Sequence, residues 1–181
     1  MAKIILQNVR CSYVFLTEPR KGEDGEQGKY SVQVLIPKND PQVKKLKKAI
    51  ESAAQDKFGA KIKMGTLKLP LRDGDEEREG EEYEGMYFLN ANSARKPGIV
   101  NRNNEPADID DIEEYCYSGA FFHASINLYG FDFNGKKGVA AGLNNVMLRK
   151  KGERLDGSTS ASSEFADFAE EGSDADDGDD W

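Results

Sequence analysis

AFFHASINLYGFDF, residues 120–133, is the stretch whose reading decides the architecture. Side chains alternate between faces along an extended chain. The even positions Ala120, Phe122, Ala124, Ile126, Leu128 and Gly130 form an apolar row, as on a strand face turned to a core. The odd positions are Phe121, His123, Ser125, Asn127, Tyr129, Phe131 and Phe133. Four aromatics are too many for a plain solvent face, and His, Ser and Asn are too polar for a core. Such a face suits a surface that stacks flat rings and hydrogen-bonds their edges. Unpaired nucleic-acid bases present both, at about 1–3 kcal/mol per stacked base. Carbohydrate meets the same description but leaves nearby cations unexplained.

Around this stretch the other elements fall into place. Asn134-Gly135 is a tight-turn pair, and a glycine-broken strand returns over 138–148. Residues 3–15 read as a long strand with Ile5, Val9, Cys11, Tyr13 and Phe15 on one face. A polar loop, 17–28, leads to a second strand, 30–36. A third strand, 86–93, places Phe88, Asn90 and Asn92 on one parity, where they extend the ring-and-amide face. Residues 99–101 suit a short strand. One helix follows the second strand: Asp40 caps it, Pro41 starts it, Gly59 ends it, and Val43, Leu46, Ile50 and Ala53 recur at helical spacing. Its Lys44, Lys45, Lys47 and Lys48 read as a solvated face. The charged runs 73–84 and 106–114 read as a surface loop and an acidic connector. Strands separated by loops, with one helix inserted and no repeat, predict a mainly-β fold. Its form is a small antiparallel barrel like the oligonucleotide-binding (OB) fold.

The chain has 181 residues and a net charge of −8. That charge is unevenly spread. Residues 1–152 carry 24 basic and 22 acidic residues, whereas 153–181 carry one basic and 11 acidic. The expected organisation is a binding domain over 1–152 and a disordered acidic tail over 153–181. No apolar run reaches the ~18 residues of a membrane span. Two cysteines, Cys11 and Cys116, form no disulfide framework, and with one His there is no two-His metal site. A reduced cytoplasmic protein without cofactor or metal is expected, with no membrane partner.

Cations gather where strands end: Arg95, Lys96, Arg102, Lys136, Lys137, Arg149, Lys150 and Lys151. Such positions rim the groove of a small barrel, where they would neutralise phosphates. Phe121, Tyr129, Phe131, Phe133 and Phe88 are the candidate stacking rings. His123, Ser125, Asn127, Asn90 and Asn92 are candidates for base or sugar edges. The tail ends with Asp176, Asp177, Asp179 and Asp180 before Trp181, the sole tryptophan. An anionic run with an aromatic tip can cover a basic groove or dock on a partner.

The run HASINLYGF (123–131), followed by GVAAGLNNV (138–146), resembles a family of bacteriophage single-stranded-DNA-binding proteins. So does NANSARKP (90–97), together with the order of elements over 1–152. The resemblance implies an OB fold and sequence-independent binding of single-stranded DNA in replication or recombination. It also implies tail contacts with replication proteins such as a DNA polymerase or helicase. Tails of that family end in Phe or an apolar residue, and Trp181 departs from this. A homodimer is left open, as is DNA against RNA on the residues alone.

Two other readings compete. The chain could be an acidic-tailed interaction or assembly protein whose aromatic strand is buried between copies. Alternatively, Asp108, Asp110, Asp111, Glu113 and Glu114 could hold magnesium in a nuclease. No nucleophile–base pair accompanies them, and a non-enzymatic protein is expected.

Overall fold

The computed structural model describes residues 2–20, 28–155 and 164–169. In chain order the elements are β1 (Ala2–Phe15), β2 (Tyr30–Pro37), α1 (Gln42–Phe58), β3 (Leu71–Asp73) and α2 (Gly74–Glu77). They continue with β4 (Met86–Ser93), β5 (Gly98–Val100), α3 (Ile109–Tyr115), β6 (Phe121–Phe133) and β7 (Lys136–Lys150). β1 pairs antiparallel with β2 and with β6, β2 with β4, and β6 with β7. Two parallel pairs, Ala91↔Ala141 and Asn92↔Gly142, join β4 to β7 and close a five-stranded ring. β3 and β5 lie beside it, on β4 and β7. This is the expected mainly-β, OB-like barrel.

The interior is the apolar parity of each strand. Phe122, Ala124, Ile126 and Leu128 of β6 are all buried, facing Leu6, Val34, Leu89 and Val146. Helix α1 adds Val43, Leu46, Ile50 and Ala53 to the same cluster. Asp40 Oδ1 accepts the Gln42 N–H at 2.9 Å, and Gly59, at φ 96°, ends the helix as anticipated. The helix reaches β6 closely because position 130 lacks a side chain. A Cβ there would lie 2.4 Å from Lys57 Cβ. Asn134 and Gly135, at φ 52° and 79°, make the mirror-image turn that suits strand twist.

Four expectations need correction. First, β1 does not keep one parity. Its register slips between Leu6 and Val9 and again between Ser12 and Phe15, with Asn8 at φ 49° and Tyr13 at φ 47°. Each slip changes which residues face the core. Leu6 is therefore buried, while Ile5 and Tyr13 are 55% and 62% exposed.

Second, the 73–84 run is not a plain loop. Asp73 caps α2 by accepting the Asp75 N–H, and Lys38 Nζ bridges Asp73 and Asp75 at 2.7 Å each. Tyr83 then inserts beside Leu35 and Phe88 in a second small core.

Third, the 106–114 connector holds α3, closed by a reciprocal capping box between Asp108 and Asp111. There are thus three α-helices among the described residues, not one.

Fourth, packing continues past residue 152. Leu155 joins the second core, its N–H donating to Ser118 O at 2.9 Å, and the Arg154 guanidinium lies 4.2 Å from the Tyr117 ring centroid.

Candidate nucleic-acid interface

The odd face of β6 is outermost, as the alternation requires. Phe121, His123, Ser125 and Asn127 are half-buried, and Tyr129 is 39% exposed. Antiparallel neighbours directly opposite share a face. One row therefore crosses five strands: Lys3 and Asn127, then Gly142, Asn92 and Ser31. Beside it, Ile5 of β1 stands opposite Ser125, which stands opposite Asn145. Lys3 and Ile5 were not anticipated. Which strand lies against which is not written in one sequence, and the slip in β1 hid the exposure of Ile5.

The polar groups of this face hold one another. Asn127 Nδ2 donates to Asn144 Oδ1 at 2.9 Å, and Asn144 Nδ2 to Ser125 Oγ at 3.4 Å. Asn8 N–H, freed by its left-handed turn, donates to His123 Nδ1 at 2.9 Å. That bond requires a bare Nδ1, so the neutral ring carries its proton on Nε2. Burial, then the Arg149 charge, hold the His123 pKa below the ordinary imidazole value. The imidazole is thereby kept as a neutral donor.

The rings lie over glycines. A Cβ on Gly142 would touch Tyr129 Cε1 at 3.6 Å. One on Gly138 would meet Phe131 at 2.8 Å, and one on Gly152 would meet Phe121 Cε2 at 2.9 Å. Each of these rings thus lies close against a glycine, and none of the three joins the described hydrophobic clusters. Phe133, 71% exposed, stands at the hairpin tip opposite Lys136.

The cations divide into groups. Lys136 and Lys137 are exposed at the tip, Lys137 Nζ lying 5.8 Å from the Phe58 ring. Lys150 Nζ sits 4.5 Å over Phe121. Arg95 and Lys96 are exposed in the link between Asn92, opposite Gly142, and Gly98, opposite Asn145, so they fringe β7. Arg149 is half-buried, its Nε without a hydrogen-bond partner. It shares a cleft of about 510 Å³ with Arg102 and Tyr115. Lys151 pairs with Glu114 at 2.7 Å, so part of its charge is already matched.

One expected ring does not belong to the interface. Phe88 is 1% exposed, edge-on to Tyr83 at 5.5 Å and covered by Arg78 at 4.7 Å. Its parity is outward as expected, but the 81–83 turn lies over it. Asn90 of the same strand is exposed and accepts from Gln33 Nε2 at 3.1 Å, away from the β6 face. Asp176, Asp177, Asp179, Asp180 and Trp181 lie outside the described residues.

The acids of the nuclease reading are held otherwise. Asp108 and Asp111 cap α3, and Glu114 binds Lys151. Among the described residues no three His, Cys, Asp or Glu side chains gather as a metal site. Nor is any described helix long and apolar enough to cross a membrane.

Comparison with known proteins gives a consistent family. Protein p50 of Acyrthosiphon pisum secondary endosymbiont phage 1 is 33% identical over 177 residues, covering 92% of this chain and 94% of that one. The single-stranded DNA-binding protein of bacteriophage Enc34, solved in complex with ssDNA, superposes with a TM-score of 0.72 at 30% identity. The match covers 85% of this chain and 89% of that one. Bacteriophage T7 gp2.5, a single-stranded DNA-binding protein, shares the fold at a TM-score of 0.57 and 15% identity, over 97% and 98% of the two chains. The family model described as Enterobacter phage Enc34 ssDNA-binding protein matches residues 2–178. The chain therefore belongs to the Enc34 family of bacteriophage single-stranded-DNA-binding proteins, which are binding proteins and not enzymes.

Proposed function

We propose that the protein binds single-stranded DNA without sequence preference across the outer face of β1, β6 and β7. There it protects and organises unpaired strands in phage replication and recombination. The observation that carries this reading is the face itself. Rings seated on glycine alternate with a linked row of amides, and cations fringe both ends. A duplex hides its base faces, so stacking platforms favour an unpaired strand. Phe121, Tyr129, Phe131 and Phe133 stack bases, while His123, Ser125, Asn127 and Asn92 meet their edges. Arg95, Lys96, Lys136, Lys137, Arg149 and Lys150 neutralise phosphates, with Arg102 and Lys151 farther along the α3 side.

The chain beyond Leu155 is the second working part in this proposal. Its acidic end, with Asp176, Asp177, Asp179, Asp180 and Trp181, recruits replication proteins such as a DNA polymerase or helicase. It also competes with DNA for the cationic fringe, because like charges seek the same surface.

Fluorescence anisotropy of labelled oligo-dT and of its duplex tests both parts, using the full chain and a chain ending at Leu155. The expected result is preference for the single strand, weakening with salt by about 0.7 log units per phosphate contact per log unit of salt. Truncation should tighten binding. Equal affinity for duplex and single strand would overturn the stacking face, and an unchanged affinity on truncation would overturn the competition.

A further inference from the structure

The hairpin tip joins Lys136 and Lys137 of the proposed face to four further lysines that the face does not include. Lys57 lies in the last turn of α1, Lys61, Lys63 and Lys68 lie in the α1–β3 connection, and Lys136 and Lys137 open β7; all six are exposed. Their backbones are held in place. Lys68 N–H donates to Lys137 O at 3.0 Å, and Val139 N–H to Lys68 O at 2.9 Å. The stem of Lys57 packs at Gly130, and Lys137 Nζ lies over the Phe58 ring. The cluster is thus a property of the barrel and not of a loose loop.

Few carboxylates answer these charges. Asp132 stands opposite Lys137 in register, and Glu51 and Asp56 lie on α1. Glu51 already accepts from Gln55 Nε2 at 3.3 Å. None of the six lysines forms an ion pair among the described residues, in contrast to Lys38 and Lys151. Like charges held together destabilise the fold by self-repulsion, and a polyanion relieves this.

The cluster is also continuous with the rings. Phe133 stands opposite Lys136 and Phe131 opposite Gly138, and Lys68 bridges to the other edge of Gly138. We infer that the single strand runs off the β6–β7 face over Phe131 and Phe133 and lays its phosphates on Lys57, Lys61, Lys63 and Lys68. Open rings beside the cations favour a nucleic acid over an acidic peptide, which would use the charges alone. This inference rests on the proposed binding face.

The test uses the full chain with K61Q/K63Q/K68Q, the matching triple Arg variant, and Y129A as a separate probe of the face. Binding is measured on oligo-dT strands from about 4 to about 16 nucleotides, the range of site sizes for such barrels. The triple Gln variant should bind the longest strands severalfold more weakly and the shortest as before. Its salt slope should fall by about 2, near 0.7 for each lost phosphate, and the Arg variant should keep the slope. An unchanged slope and affinity on long strands, with Y129A still weakened, would overturn the inference and leave the face standing. Tighter binding by the triple Gln variant would also overturn it, since the lysines would then hold the chain's own acidic segment. If the unaltered protein binds no strand, the face fails first and the inference falls with it.

Discussion

The barrel has two outer faces built to the same rule and finished differently. On β6–β7, the outward parity carries Phe121, Tyr129 and Phe131 against glycines; Tyr129 is exposed, while Phe121 and Phe131 are half-buried and Lys150 lies over Phe121. On β2–β4, the outward parity carries Leu35 and Phe88, and the charged segment after β3 folds back to cover them with Tyr83. An outward aromatic is therefore a platform or a core residue according to what its neighbours on the adjacent face allow. Glycine at 138, 142 and 152 keeps one face flat. The Gln33 amide, by contrast, anchors a lid. Gln33 Oε1 accepts from Ser12 Oγ at 2.9 Å and from Tyr83 Oη at 2.6 Å, and its Nε2 donates to Asn90.

Substitutions should separate the two faces. The largest effect is expected for Phe88→Ala, at about 3–5 kcal/mol of stability, because it empties a filled site. Urea denaturation checks this; a loss under 1 kcal/mol would mean that the lid is not a core. Next comes Tyr129→Ala, with about 1–3 kcal/mol of oligo-dT affinity lost and an almost unchanged melting temperature. Should melting fall while affinity holds, the two faces would have exchanged roles.

Smaller again is Tyr83→Phe, at about 0.5–1.5 kcal/mol of stability, since Gln33 Oε1 keeps its bond from Ser12. Denaturation of Gln33→Leu beside it tells whether the network or the ring holds the lid.

The smallest effect is a pH dependence at His123. Its folded pKa lies below that of the unfolded chain, so the unfolded state takes up a proton more readily. The neutral ring's contribution is complete above the unfolded value, near 6.5, and fades as pH falls through the folded value. Melting temperatures from pH 8 to pH 5 should drop less for His123→Asn than for the unaltered protein. Parallel curves would show that burial and the Arg149 charge carry no such linkage.

Much of the β6 face could be read from residue order, because strict alternation over Phe121–Leu128 settles which residues face the core. Helix α1 was equally legible, through its spacing and its two ends. The failures have physical causes. In β1, two left-handed residues move the chain off strict alternation, and Ile5 and Tyr13 emerge where the pattern buries them. Around Phe88, a run of acids hid an ordered segment. Its order comes from a cap at Asp73, a bridge from Lys38 and a buried Gly74 whose Cβ would lie 2.6 Å from Tyr83 O. The cap is local, but Lys38 and Tyr83 are too far from Asp73 and Gly74 in sequence to be read as a pattern. The row from Lys3 to Ser31 was invisible for the same reason: it exists only once five strands have found their neighbours.

The closure of the barrel has a kinetic meaning. Four of its seams are antiparallel and long, whereas the β4–β7 seam is two parallel pairs. Parallel pairing is slightly weaker per residue, so this seam is where the ring should part first in local opening. Of the amides of Ala91, Asn92, Ala141 and Gly142, those that point across this seam should then exchange with deuterium sooner than those in the middle of the β1–β6 pair. Gly142 and Asn92 are also steps in the row proposed to carry the strand. A bound strand would thus bridge the join like a strap across a split hoop, slowing exchange at the place where the unliganded barrel opens most readily.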